Sequence, residues 1–339
     1  MLKNKKTKMI FILATVIFIT LIAFLFFKRE TPKLEENLSP FPDINLPSYI
    51  EGKYNISFER KNINFNFPKE LPYLEKQTLP SLTKSEASLI ATNLGFNSDP
   101  LDVTDALKGE ILIWNSEINF LTVTLRERKI KYGPNYNPTE KINDIIDKNL
   151  SEKEMINIAQ NFLKEKLASF IINPSFSSLV YLRFEEGLEL FQETEKENSQ
   201  IVQFNFNDGD FIYPILTLNP QATNIYVQLQ KDGTVINMET TFLSKTTESL
   251  QKFSLKNYDE VIAEAPNAKI VSINNGNENL SDINSSDIEN ISIDNIYIAY
   301  YLEKQSDEYF QPIYVLKGNV LIKDVSQKLP ISLYLAAFK

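Results

Sequence analysis

Two serine–lysine pairs, Ser81-Leu82-Thr83-Lys84 and Ser249-Leu250-Gln251-Lys252, have the S-x-x-K spacing that lets a lysine draw the proton from a serine nucleophile. Neither is accompanied by the S-D-N and K-T-G segments that complete such a site, and Thr83 has a simpler use as a helix cap. The carboxylates Glu185, Glu186, Glu193, Glu195, Asp208 and Asp210 suggest a second chemistry, the acid pair of a glycoside hydrolase. The sequence sets no two of them across a cleft, and hairpin ends put most carboxylates in water. A third candidate is the oxygen-rich run Asn274-Asn275-Gly276-Asn277-Glu278, which lacks the alternating carboxylates and distal glutamate of a calcium loop. Histidine and cysteine are absent. Their absence excludes Ser-His-Asp and Cys-His catalysis and removes the usual zinc ligands. The expectation is a protein that is not an enzyme, with no catalytic residue, no metal and no cofactor.

Binding is the better-supported chemistry. The densest basic cluster of the long C-terminal part is Arg126-Glu127-Arg128-Lys129-Ile130-Lys131, which could meet an acidic partner or form the wet end of a strand. Tyr297, Tyr300, Tyr301, Tyr309, Phe310 and Tyr314 form a dense aromatic group, able to pack a core, stack on a sugar or anchor a protein. Arg126, Arg128, Lys129, Tyr300 and Tyr309 are accordingly the candidate contacts for a partner or ligand. With 35 basic against 44 acidic residues the chain carries −9, the wrong sign for neutralising phosphates, so nucleic acid is excluded as a partner.

These residues need elements to position them. Residues 1–8 carry Lys3, Lys5, Lys6 and Lys8 and read as a cytoplasmic tail; Met9 to Phe27 follows with no charge and no proline. At ~1.5 Å per residue that run reaches roughly 28 Å, the hydrocarbon thickness of a bilayer, and predicts a transmembrane signal anchor in contact with lipid. Its length, and the lack of a small-residue cleavage site, favour an uncleaved anchor over a removed leader. The expected location is the cell membrane, single-pass, with the bulk of the chain extracytoplasmic. Residues 28–48, with prolines at 32, 40, 42 and 47, read as an extended stalk. Three helix-then-strands units follow. In 49–140, Thr83 and Glu86 make a capping box before Ala87, Ile90, Ala91 and Leu94, and Leu121, Val123 and Leu125 then alternate with polar residues. In 141–247, Ser151 and Glu154 cap a helix with Met155, Ile158, Ala159, Phe162 and Leu163 on one face, and Asp208-Gly209 and Asp232-Gly233 mark tight turns. In 248–339, a helix carries Tyr258, Val261, Ile262 and Ala265, a polar tract spans 274–290, and 296–302 is apolar on both faces. The predicted fold class is α+β, an N-terminal transmembrane helix followed by tandem modules of one helix packed on an antiparallel sheet.

The run Glu86-Ala87…Ile90-Ala91, followed by strands and by the hairpin Asn224-Ile225-Tyr226-Val227-Gln228-Leu229-Gln230-Lys231-Asp232-Gly233-Thr234-Val235, resembles PepSY-like modules. Ala299-Tyr300-Tyr301 and Gln311-Pro312-Ile313-Tyr314-Val315, set behind an anchor and repeats, are similar to the YycH/YycI type of single-span exported regulators of sensor kinases. The resemblance covers roughly residues 50–339 and departs from the compact pattern at 274–290. It implies interaction or regulation with an envelope or membrane protein partner, and supplies no catalytic residue. The alternative is binding of a wall polymer or small ligand; an acid-pair hydrolase ranks below both.

Overall fold

A computed structural model describes residues 44–339, apart from 60–62, 64, 78, 136–149, 169, 172, 186–187, 193–198, 210–211, 218–219, 221, 241–244, 274–282, 303–308 and 326–327. Every described residue lies in one compact unit, Ile44–Lys339. That unit opens with β1 (Ile56–Phe58) and β2 (Glu70–Gln77), then helix α1 (Lys84–Asn93). A meander follows, β3 (Leu101–Asp105), β4 (Gly109–Asn115), β5 (Asn119–Thr124) and β6 (Lys129–Pro134). Helix α2 (Glu152–Lys166) leads to β7 (Pro174–Glu185), β8 (Leu188–Gln192), β9 (Ile201–Asp208) and the short β10 (Ile215–Leu216). The hairpin β11 (Ile225–Gln230) and β12 (Val235–Thr240) precedes β13 (Lys245–Ser254) and helix α3 (Tyr258–Glu264). β14 (Lys269–Ile273), β15 (Ile288–Tyr301), β16 (Tyr309–Ile322) and β17 (Leu329–Ala336) close the chain.

Both expected capping boxes form. Thr83 and Ser151 each accept from the backbone N–H of Glu86 and Glu154, whose carboxylates return the bond. Gly209 and Gly233 take φ of 109° and 93°, the left-handed conformation that the two Asp-Gly turns require.

The strands do not stay within helix-led modules. They form two sheets. The nine-stranded one runs β3-β4-β5-β6-β12-β11-β9-β7-β8, antiparallel throughout. The eight-stranded one has β1-β15-β16-β17-β14 as its spine, with β10 on β15, β2 on β16 and β13 on β2. The predicted fold class is therefore corrected: the described residues are mostly β, with three α-helices, and tandem modules of one helix on its own sheet do not occur. The physical reason is pairing at long range. β6 takes β12 as its neighbour, about a hundred residues on, because Ile130 and Met238 both present apolar side chains to the face that α1 and α2 cover. The expected spanning helix is not found among the described residues. Among the described residues no helix is long and apolar enough to cross a membrane. The longest, α2, has 15 residues, roughly 22 Å, and is charged along one side. The run Met9–Phe27 lies outside the described residues.

α2 buries Met155, Ala159 and Leu163, and α1 buries Ala87, Ile90 and Ala91, against Trp114, Leu121, Val202, Phe204 and Val227. Each large side chain so placed contributes roughly 1.5–3 kcal/mol. The opposite face of the same sheet carries a polar row across β12, β11, β9 and β7, buried at Gln228, Gln203 and Asn205. Asn237 Nδ2 donates to Gln228 Oε1 (3.1 Å), and Gln228 Nε2 to Gln203 Oε1 (3.0 Å). Gln203 Nε2 in turn donates to Asn205 Oδ1 (3.1 Å), and Asn205 Nδ2 to Ser178 Oγ (3.2 Å). An amide ladder of this kind fixes register, because a slip of one residue would bury its amides without partners.

In the eight-stranded sheet β15 is apolar on both faces, as expected: Ile296 and Ile298 join one core and Ala299 and Tyr301 the other. One residue, Asp294, is extra opposite β16, since Ile293 pairs with Gly318 and Asn295 with Lys317. This bulge changes parity, so Ile291 and Ile293 before it share a core with Ile296 and Ile298 after it. β15 begins at Ile288, inside the tract expected to be loop; 274–282 lies outside the described residues.

Candidate functional site

The serine–lysine pairs are structural. Lys84 Nζ is bound to the carboxylate of Asp102 and lies 3.4 Å from Glu110, and the hydrogen bond to Asp102 raises its pKa. A lysine held as a cation cannot serve as the base a serine nucleophile needs. Ser249 Oγ donates to the carbonyl of Gln251 (2.6 Å) across an irregularity in β13, and Lys252 is exposed on the strand. Of the carboxylates, Glu186, Glu193, Glu195 and Asp210 lie outside the described residues, and Glu185 and Asp208 are placed by backbone alone at the ends of β7 and β9. The run 274–278 also lies outside them, and no acidic cluster able to hold a metal occurs among the described residues.

The basic cluster spans the β5–β6 turn and the start of β6. Arg126 is exposed there. Arg128 has φ 51° and donates from Nη1 to the carbonyl of Pro80 (2.9 Å), and desolvation lowers its pKa. Lys129 pairs with Glu239 on β12 at 2.7 Å, and Tyr226 donates its hydroxyl to the same carboxylate (3.1 Å). Arg128 and Lys129 are thus engaged within the fold. Tyr300 is 3% exposed and donates to the carbonyl of Pro72 (2.9 Å); burial raises its pKa. Tyr309 is 40% exposed. The structure keeps the arginines and lysine in the nine-stranded sheet and both tyrosines in the eight-stranded one.

Tyr309 leads to the site. Its ring meets Tyr73 edge-on at 5.0 Å; Tyr73 lies 5.8 Å from Phe253, and Phe253 5.0 Å from Phe338. This row of rings runs over β16, β2 and β13. Where β13 ends, the backbone gathers three distant segments: Leu255 N donates to Lys69 O, Lys256 N to Ala337 O, and Lys339 N to Ser254 O. Between them opens a pocket of ≈ 450 Å³.

Four rings give the pocket its character. Phe65 and Phe67 meet at 4.7 Å, Phe65 lies 5.2 Å from Tyr258, and both phenylalanines lie within 5.7 Å of Tyr314. Tyr314 is buried, donates to the carbonyl of Lys256 (2.6 Å), and has its pKa raised by that burial. Two of the lining lysines are committed. Lys256 Nζ donates to Ala336 O (2.8 Å) and sits 3.2 Å from Glu264, while Lys339 Nζ sits 2.9 Å from Glu260. The bond from Lys339, with that from the backbone of Asn257, lowers the pKa of Glu260. A pocket of this size, lined by aromatic rings and by charged residues, suits a small ligand or one side chain of a larger one.

Sequence reasoning passed over Phe65, Phe67 and Lys69, although Ile63-Asn64-Phe65-Asn66-Phe67 alternates with the period of a half-buried strand. That period was the available signal. Asn257, the cap of α3, was legible in the same way, since Asn257-x-x-Glu260 forms a capping box.

No family model matches the chain, and no curated protein matches it. Among solved structures it is similar to an uncharacterised protein from Eubacterium rectale ATCC 33656, solved by crystallography at 1.45 Å. The two are 14% identical, with a TM-score of 0.50 over 86% of this chain and 90% of the other, a likeness of fold alone.

Proposed function

We propose that this chain is a non-catalytic binding protein that captures an apolar group in the aromatic pocket. The observation that carries the reading is the packed cluster of Phe65, Phe67, Tyr258 and Tyr314 that lines the pocket beside Lys256 and Lys339, whose charges are already matched. Aromatic walls hold an apolar guest by area and shape, and committed charges hold the walls in place. The test uses 2-phenylethanol, an uncharged probe, with melting temperature as readout. At ten times Kd a ligand stabilises by about 1.4 kcal/mol, a rise of roughly 2–4 °C for a large domain. The expected result is a saturable rise in the wild type that is lost in Phe67→Asp. No rise, or the same rise in both proteins, overturns the reading.

A second reading, regulation through an envelope protein partner, draws on β3. This strand ends the nine-stranded sheet, with Leu101 61% and Val103 38% exposed. Such an edge can accept an extended segment of another protein as an added strand. Capture of a defined envelope protein by the wild type, lost when Leu101 and Val103 are both replaced by lysine, is the expected outcome. Equal capture by both proteins sinks this reading.

A further inference from the structure

We infer that the pocket selects a zwitterion, an α-amino acid with an aromatic or large apolar side chain; the inference rests on the apolar capture proposed above. The charges lining the pocket do not all have partners. Lys256 is held by Ala336 and Glu264, and Lys339 by Glu260. Lys69 and Glu70, consecutive residues where the chain enters β2, also line the pocket, and neither side chain has a partner among the described residues. One exposed lysine and one exposed glutamate without side-chain partners among the described residues are therefore among the residues that line the pocket beside the aromatic cluster. A ligand carrying only a carboxylate would satisfy Lys69 and leave Glu70 facing like charge; an amine would do the reverse. A free amino acid satisfies both, its carboxylate on Lys69 and its ammonium on Glu70, while its side chain lies in the pocket against the packed rings of Phe65, Phe67 and Tyr258. The ion pairs of Lys256 and Lys339 then serve as positioning contacts. They keep two further cations from competing for the carboxylate and fix the segments that carry the rings.

The test is calorimetric titration of the full chain with L-phenylalanine, 3-phenylpropionate and 2-phenylethylamine, which share one ring and differ only in charge. Phenylalanine is expected to bind about tenfold tighter than either singly charged analogue, as charge-assisted hydrogen bonds would give. Lys69→Gln should remove the advantage over the amine, and Glu70→Gln the advantage over the acid. Both substitutions are at exposed positions and leave the rings untouched. Three equal affinities overturn the inference and leave apolar capture standing. No binding of any of the three, with 2-phenylethanol also inert, overturns both. A preference for phenylalanine that survives in both glutamine variants places the selectivity elsewhere and overturns the assignment of Lys69 and Glu70.

Discussion

Gly318→Ala gives the sharpest test of the sheet that builds the pocket. Gly318 pairs with Ile293 where Asp294 bulges from β15, and a Cβ there would lie 2.0 Å from the carbonyl oxygen of Ser292 and 2.8 Å from Ile293 Cα. Both obstacles are backbone, so no side-chain rotation relieves them. Restoring ordinary contact needs the strands to part by about 1 Å, which takes neighbouring N–H···O bonds out of range. Two or three weakened bonds at ~0.5–1.5 kcal/mol each, with ~1–3 kcal/mol for overpacking, outweigh the ~0.4–1 kcal/mol gained by stiffening the unfolded chain. The net expectation is a loss of roughly 2–4 kcal/mol, a fall of roughly 5–10 °C in melting temperature. Propensity alone has the opposite sign, since Gly is the poorer strand residue. Thermal and urea unfolding of the two proteins decide the matter, and an alanine variant as stable as the parent would falsify the bulge register. The same register bears on ligand binding. Tyr314 lies four residues before Gly318 on β16, so pocket affinity should fall along with stability.

Tyr300→Phe removes the hydroxyl that reaches Pro72 O and leaves that carbonyl without its side-chain donor, so a loss of about 1 kcal/mol in chemical denaturation is expected. Acid should destabilise the fold through Glu86 and Glu260. The backbone bond from Thr83 lowers the pKa of the first, and the bond from Lys339 that of the second. A carboxylate with a depressed folded pKa contributes stability above its unfolded value, near about 4.3, and loses it as pH falls through the folded value. Unfolding measured from pH 6 downward should show a decline beginning below about pH 4.3, flattened in the double variant Glu86→Gln/Glu260→Gln. Trp114 is 2% exposed in the helix-covered core of the nine-stranded sheet, away from the pocket-lining residues. Its emission should be that of a buried indole and stay constant while the pocket is saturated; a shift on titration would show that the ligand acts on the other sheet.

What the sequence disclosed was local. A capping box needs only four consecutive residues, so Thr83 to Glu86 and Ser151 to Glu154 could be read directly, as could the Asp-Gly turns and the alternation through Leu121 and Val123. Pairing is not local. That β2 lies between β13 and β16, or that β6 lies beside β12, depends on which apolar faces meet in three dimensions, and a period of two is the same for every candidate neighbour. Repetition of helix-then-strands therefore suggested modules where the chain instead shares two sheets. The bulge at Asp294 was hidden for a related reason. Ile291-Ser292-Ile293-Asp294-Asn295-Ile296 breaks alternation in a way that reads equally as a strand end, until Gly318 is seen opposite it.

The pocket could not have been read for the same physical cause, and its origin has a consequence for interpreting variants. Its rings come from 65–67, 258 and 314, and its charges from 69–70, 256 and 339, brought together by three backbone bonds at the end of β13. No short motif encodes such a site. Because Leu255, Lys256 and Lys339 reach the pocket through backbone pairing, a substitution anywhere in those ladders changes both folding and binding. Lys69 and Glu70 are the exception, since their side chains have no partners among the described residues. Selectivity can then be changed at those two positions while melting temperature holds, whereas Phe67 and Tyr314 should move both together. That separation is what distinguishes a ligand site from a gap between packed strands.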